Sequence, residues 1–401
     1  MSGLAVDGGT PVRTTPMPSW PYFADADLEA ALKVLASGRV NYWTGAHGRA
    51  FEAEFAAATG TSHAVAVCNG TVALELALRA VGVQRGDEVI VPAATFIATA
   101  SAVVACGGRP VVVDVDPASA CLTADTVGEA ITARTKAVVV VHLAGHPADI
   151  VPVLELARAH GLRVVEDCAQ AHGAVHFGRK VGSLGDIAAW SFCHDKILTT
   201  AGEGGAVTTS DETLWRRCWE MKEHGKGWSA VHEREHPPGY RWLHESFGTN
   251  ARMTEVQAAV GRSQLGMLDT WVARRRANAG VLLRALAGQP AVRVAEPPEG
   301  VEHSYYKFTA QLRPEQLAAG WTRDRVVEAV RAEGVPCLHG GCAEIYRERA
   351  FAAVPGTPAE LPVAARLGRT SLMLLVHPTL SDADMADTAA ALTKVLEVVT
   401  A

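Results

Sequence analysis

At 401 residues, with 48% hydrophobic and 20% charged residues, the chain has the balance of a folded globular protein large enough for two cores. Its formal net charge of −6 leaves no basic excess to neutralise phosphates, which excludes a general nucleic-acid binder. No apolar run reaches the length of a membrane span, and the start, Met1-Ser-Gly-Leu-Ala-Val-Asp, has no basic or apolar leader. The expectation is a cytoplasmic protein bound to neither nucleic acid nor membrane. Eight cysteines contain no CxxC pair. Cys337, His339 and Cys342 fall short of the four ligands of structural zinc, so no metal is expected. Arg274-Arg-Arg276 adjoins a helical pattern and reads as a solvated helix face.

In chain order, the first 60 residues are rich in proline and aromatics and then helical, over 25–35 and 48–58. Gly38, Gly45 and Gly48 punctuate the loop between these helices. Apolar strands follow at 64–67, 88–91, 109–113, 137–141, 162–165 and 187–192, with helix-length segments such as 72–81 and 150–160 between them. Continuous Val-rich strands separated by helices predict a mostly parallel sheet covered on both faces. Ligands of such sheets sit beyond the carboxyl ends of the strands. Residues 226–246 predict an irregular polar-aromatic loop containing Trp228, His232 and Trp242. One long helix over 254–286 then leads to a C-terminal domain that mixes strands (305–312, 372–376) with helices (324–333, 382–399). The boundary falls near residue 275, giving a large domain 1–275 and a small one 276–401.

The chemistry concentrates at two strand ends. Ser191-Phe-Cys-His-Asp-Lys196 follows one apolar strand and precedes Gly202-Glu-Gly-Gly205, where the backbone can take conformations closed to other residues. Glu166-Asp167 ends another strand. An amine and a carboxylate on neighbouring strand ends suit pyridoxal phosphate: the amine forms a Schiff base, and the carboxylate keeps the pyridine nitrogen protonated. Asp167 serves that nitrogen, and strand alternation turns Glu166 to the opposite face, into a structural role. Asn69-Gly70-Thr71 opens the helix at 72–81, and a helix start is an anion site; read alone it is a plain Asn or Thr cap, but given Asp167 and Lys196 it is a place for the cofactor phosphate. Phe96, after the next strand, can stack on the pyridine or belong to the core. His172 is open between catalysis and holding a loop.

Glu166-Asp-Cys-Ala-Gln-Ala-His-Gly173, Lys196 with its Gly-Glu-Gly-Gly tail, and Gly248-Thr-Asn-Ala-Arg-Met253 resemble the DegT/StrS family of pyridoxal-phosphate aminotransferases, across nearly the whole chain. The resemblance implies the fold-type I, aspartate aminotransferase-like α/β architecture: a large, mostly parallel sheet domain plus a smaller C-terminal α+β domain. It implies pyridoxal 5'-phosphate as cofactor, with Gly70, Thr71 and Ser191 around the phosphate, Phe96 over the ring and Gln170 near its phenolate oxygen. Asp167 and Lys196 would be catalytic. Asn250 would reach the cofactor of a neighbouring subunit, making a homodimer with shared active sites; capping a helix near Thr254 is the alternative.

The implied reaction moves an amino group from glutamate or glutamine to the ketone of a nucleotide-linked deoxysugar. Rivals are a cyclitol aminotransferase, an aminohydroxybenzoate synthase, a sugar dehydratase and a non-catalytic sugar sensor. One dehydratase branch replaces the lysine by histidine, and this chain keeps Lys196. Residues 335–346 depart from the family's Tyr-x-Pro-x-His segment, which puts the usual substrate contacts in doubt. Residues 303–307 and His377-Pro378 are candidates for lining the site, with core and loop roles equally open.

Overall fold

Period-two burial of valines builds the centre of the molecule. Val138, Val140 and Val164 pack on one side with Ile150 and Val153 of the helix Ile150–Ala159. Their neighbours Val139, Val141 and Val165 pack on the other side with Leu74 and Leu78 of helix Gly70–Ala80 and Leu214 of helix Glu212–Lys222. Each such valine contributes about 1.5–3 kcal/mol by leaving water. Strands buried on both faces are those a parallel sheet requires.

The structure, a computed structural model, describes residues 3–238 and 241–400; Gly239 and Tyr240, inside the predicted irregular loop, lie outside the described residues, as do Met1 and Ser2. Its strands are β1 (His63–Val67), β2 (Glu88–Pro92), β3 (Arg109–Val113), β4 (Thr135–Val141), β5 (Arg163–Asp167), β6 (Val175–His176), β7 (Arg179–Lys180), β8 (Ile187–Ser191) and β9 (Gly205–Thr209) up to the end of the large sheet. That sheet has the order β1-β9-β8-β5-β4-β2-β3. The pairs β2–β3, β2–β4, β4–β5 and β5–β8 are parallel, and β9 runs antiparallel to both of its neighbours. The sheet is therefore mostly parallel, as the sequence predicts, while β9 escaped the pattern because it follows the glycine turn directly. β5 and β8 are adjacent, with Asp167 opposite Ala189.

Five strands follow: β10 (Val292–Arg293), β11 (Val301–Glu302), β12 (Phe308–Leu312), β13 (Cys337–Leu338) and β14 (Ser371–Leu374). β10, β12, β14 and β13 make an antiparallel sheet in that order, and β11 joins β6 and β7. β12 starts later than the sequence predicts because Tyr305 takes a positive φ of 49°. Phe308, Ala310, Leu312, Leu372 and Leu374 pack on Leu392 and Val395 of helix Asp382–Val399.

Two expectations are corrected. The predicted helix over 254–286 is two helices, Glu255–Leu265 and Leu268–Leu286, separated by a tightened turn in which Met267 N–H donates to Gln264 O (2.9 Å). Nor is Arg274-Arg-Arg276 a solvated face, since Arg275 is 1% exposed. Arg275 shares the inner side of its helix with Trp271, Val272, Asn278 and Ala279, one turn away in each direction. Its Nη1 donates to the Tyr305 and Tyr306 carbonyls (3.3 and 3.2 Å), and its guanidinium lies 5.0 Å from the Trp20 ring centre. Burial pushes its pKa down to about 9.

Candidate active site

A cavity of about 870 Å³ opens where β1, β4, β5 and β8 end, and the small sheet forms its far wall. Gly70, Thr71, Phe96, Asp167, Gln170, Ser191 and Lys196 all line it. Asn250 does not; its exposed side chain accepts from Arg252 Nη1 (3.2 Å). Helix Glu255–Leu265 is capped instead by Thr254, which forms a reciprocal box with Gln257.

At the mouth of β1, Asn69 Oδ1 accepts from Val72 N–H (2.9 Å) and starts helix Gly70–Ala80. The Gly70 and Thr71 amides belong to the first turn, whose N–H groups have no acceptor within the helix. A Cβ on Gly70 would stand 2.6 Å from Ser191 Cβ, so only glycine lets the end of β8 approach this turn. The Ser191 hydroxyl thereby joins the helix start in one small concavity.

Asp167 ends β5 and is 5% exposed. Its Oδ2 accepts from Thr99 Oγ1 (2.9 Å), which contacts Thr95 Oγ1 (2.8 Å), and its Oδ1 accepts from Ala169 N–H (3.1 Å). Burial raises its pKa, against the Ala169 amide, the Thr99 hydroxyl and the Lys196 charge. Among the described residues, no basic nitrogen lies within ion-pair distance of this carboxylate. A buried carboxylate with hydrogen bonds but no cation suits a ligand that carries the positive charge.

Glu166 does face the other way. His142 Nδ1 accepts from Ala148 N–H (3.0 Å), which leaves Nε2–H to donate to Glu166 Oε2 (3.0 Å). Gly182, Leu184 and Gly185 N–H add three more bonds, of 2.8, 2.8 and 2.7 Å. These donors hold the Glu166 pKa below its ordinary value despite complete burial. His172 lies against Trp190 and Phe192 (ring centres 5.2 and 5.6 Å), and burial takes its pKa down to about 3, so it is a neutral packing residue.

Lys196 sits in a turn (its N–H to Cys193 O, 3.0 Å) and is held by Trp20 Nε1, which donates to its carbonyl (2.9 Å). Its Nζ is 3.4 Å from Tyr306 Oη and 3.7 Å from Asp195 Oδ1. Tyr306 Oη donates to Asp195 Oδ2, and burial beside that carboxylate pushes the phenol pKa up. Gln170 Oε1 accepts from Ala144 N–H (2.7 Å). Phe96 is 66% exposed into the cavity mouth, not part of the core. Of the C-terminal candidates, His303, Tyr306 and Lys307 line the cavity, and His377 instead stacks near Trp20 at 6.2 Å. Thr99 and Asp195 were not singled out by the sequence, and Tyr306 was offered only as a residue lining the site, not as a partner of Lys196 and Asp195. The signals available were the Thr95/Thr99 spacing of one helical turn and the direct adjacency of Asp195 to Lys196.

The profile of the DegT/DnrJ/EryC1/StrS aminotransferase family matches residues 21–393. The chain belongs to this family. It is 40% identical to the L-glutamine:2-deoxy-scyllo-inosose aminotransferase of Streptoalloteichus tenebrarius, over 98% of this chain and 97% of that protein. It is also 40% identical to the UDP-N-acetyl-3-dehydro-alpha-D-glucosamine 3-aminotransferase of Acidithiobacillus ferrooxidans, covering 88% and 89% of the two chains. The crystal structure of an aminotransferase from Psychrobacter cryohalolentis superposes with a TM-score of 0.92 at 48% identity, covering 94% of this chain and 98% of that one.

This DegT-family chain is an aminotransferase, and its cofactor is pyridoxal 5'-phosphate. The pocket fits that group on two observations: the helix start and the Ser191 hydroxyl brought together only because Gly70 has no Cβ, and Asp167, buried in the same pocket without an ion-pair partner among the described residues. No helix among the described residues is long and apolar enough to cross a membrane.

Proposed function

We propose that this aminotransferase moves an amino group from glutamate or glutamine to a keto group on a polyhydroxylated ring, with each site shared across a homodimer. Gly70, Thr71 and Ser191 would hold the cofactor phosphate, Asp167 its ring nitrogen, Gln170 its phenolate oxygen and Phe96 one ring face. The cofactor, when bound, supplies the electron sink that lets the substrate carbon lose and regain a proton. Lys196, once freed, would carry that proton, steered by Tyr306 and Asp195 at its nitrogen. Asn250 would serve the neighbouring subunit, a reading supported by its exposure and by its place outside its own chain's cavity. The division into domains 1–275 and 276–401 belongs to the same proposal.

The observation that carries the acceptor class is the cavity's far wall, where Thr309, Gln311 and Ser371 present neutral hydrogen-bonding groups suited to ring hydroxyls. A nucleotide-linked deoxysugar is the first reading, by likeness to relatives such as the Acidithiobacillus enzyme. A free cyclitol is the second, favoured by the full-length match to the Streptoalloteichus enzyme.

A screen of donors against keto-sugar and cyclitol acceptors decides between them, with Lys196→Ala as the control. Wild type should be yellow and exchange amine, and the variant should fold but lose the band and the exchange. If no polyhydroxylated ketone is aminated in the wild type, the acceptor reading is wrong.

A further inference from the structure

β12 divides its side chains between two jobs. Phe308, Ala310 and Leu312 face the core, while Lys307, just before the strand, Thr309 and Gln311 face the cavity. On β14, Ser371 and Met373 continue that wall, paired opposite Gln311 and Thr309. Lys307 is the one charged side chain among these five.

Its position is fixed from behind. Lys307 N–H donates to Ala144 O (3.4 Å), and Ala144 N–H donates to Gln170 Oε1 (2.7 Å). Ser304 N–H adds a bond to Gly145 O (3.0 Å). The Lys307 ammonium lies 4.8 Å from the centre of the Tyr306 ring, and Lys196 Nζ lies at the same distance from that centre. The two amines therefore flank one phenol, no further apart than twice that length.

Among the described residues, no carboxylate stands within ion-pair distance of Lys307, and no hydrogen-bond acceptor takes its protons. Asp195, the nearby acid, is engaged by Tyr306 and Lys196, and buried Arg275 adds a further positive charge. Burial lowers the Lys307 pKa, with Lys196 and Arg275 acting in the same direction and Asp195 opposing them. An ammonium held partly out of water without an anion is costly, and a ligand anion removes that cost. An amino-acid donor carries its α-carboxylate on the same carbon as the reacting nitrogen, so the carboxylate must come to rest a few ångströms from Lys196.

We infer that Lys307 anchors the α-carboxylate of the amino donor. This rests on the donor reading under Proposed function and adds the residue that recognises the donor. The phosphate of a nucleotide-linked acceptor shares the same chemistry, and the experiment separates the two sources.

Prepare full-length, cofactor-loaded Lys307→Met and Lys307→Arg. Measure KM for glutamate and for acceptor separately, and measure binding of glutarate, a non-reacting dicarboxylate, by calorimetry. Lys307→Met should raise the donor KM and the glutarate Kd by about tenfold to a hundredfold, the loss of one charge-assisted bond. The acceptor KM should not move, and Lys307→Arg should recover most of the loss. Unchanged donor KM and glutarate Kd overturn the assignment. A rise in acceptor KM alone overturns it in favour of an acceptor phosphate. A fall in kcat with both KM values unmoved also overturns it, because the residue then acts through Tyr306. If Lys307→Met fails to fold, Lys307→Gln is read by the same criteria. Lys307-dependent glutarate binding in a protein that aminates no ring ketone would keep this inference and sink the acceptor reading.

Discussion

The backbone of Gly70 meets Ser191 so closely that a Cβ added to Gly70 would stand 2.6 Å from the Ser191 Cβ and 3.0 Å from its Oγ. A helix start and a strand end are thereby pressed into one anion-sized cradle. Neither partner can yield cheaply, because Gly70 opens a buried helix and Ser191 closes a fully buried strand.

Gly70→Ala should therefore cost about 1–3 kcal/mol of stability in the apoprotein, as overpacking does, and should weaken cofactor binding as well. Adding Ser191→Gly should return the stability by clearing the contact, without returning the affinity. Denaturant midpoints and absorbance titration of the cofactor measure the two effects. Full affinity in the double variant would take the Ser191 hydroxyl out of the cradle.

Asp167→Asn should still bind cofactor and transaminate slowly, because an amide keeps the bonds to Thr99 and Ala169 in part but cannot hold the ring proton. By analogy with other lost transition-state charge interactions, the rate should fall by about 2.7–4 kcal/mol of barrier. Single-turnover kinetics read this directly, and a near wild-type rate would exclude the role.

Glu166 predicts an acid limb of stability. Its pKa is lower in the folded state than in the unfolded chain. Its contribution is therefore full above the ordinary carboxylate range and disappears as the pH falls through the depressed folded value. Glu166→Gln should unfold more easily at neutral pH, by about 1–3 kcal/mol, because an amide leaves some of the Gly182, Leu184 and Gly185 donors or the His142 ring poorly paired. It should also flatten the acid limb. Thermal melts across pH test both parts; a limb of unchanged steepness would assign the acid sensitivity elsewhere.

The shared site is tested by mixing. Lys196→Ala and Asn250→Ala chains are combined and the hybrid dimer is isolated. With sharing, one site of each hybrid collects both defects and the other is wholly wild type, so activity returns. Without sharing, every site keeps one defect and mixing restores nothing.

The placement of Lys196 and Asp167 in one cavity was legible because one follows and the other ends an apolar strand, and the two strands read as neighbours in a parallel sheet. Other features were hidden for definite reasons. Tyr306 and Lys307 were legible only as part of a candidate stretch; what brings them to the site is the turn at Tyr305, which has a positive φ, and the bonds of this stretch to the turn at Ala144 and Gly145. The alternation of Phe308, Ala310 and Leu312 with Thr309 and Gln311 marks which face of β12 meets the core, but not that the other face meets this cavity. Three successive arginines look alike until Trp20, remote in sequence, covers Arg275. The Asn250 cap was ambiguous because Thr254, four residues on, competes for the same job and wins through Gln257.

The alternation on β12 and β14 has a further consequence. Residues that hold the small sheet together and residues that face the cavity alternate along the same strands. Asp167 and Ser191 belong to the large sheet, apart from this wall. Substitutions at Thr309, Ser371 or Met373 should therefore reshape the proposed acceptor wall without touching Phe308, Ala310 or Leu312, whereas Gln311 also ties the wall to Pro117 O (2.8 Å). A scaffold laid out this way can change its clientele one side chain at a time while its working parts stay in place.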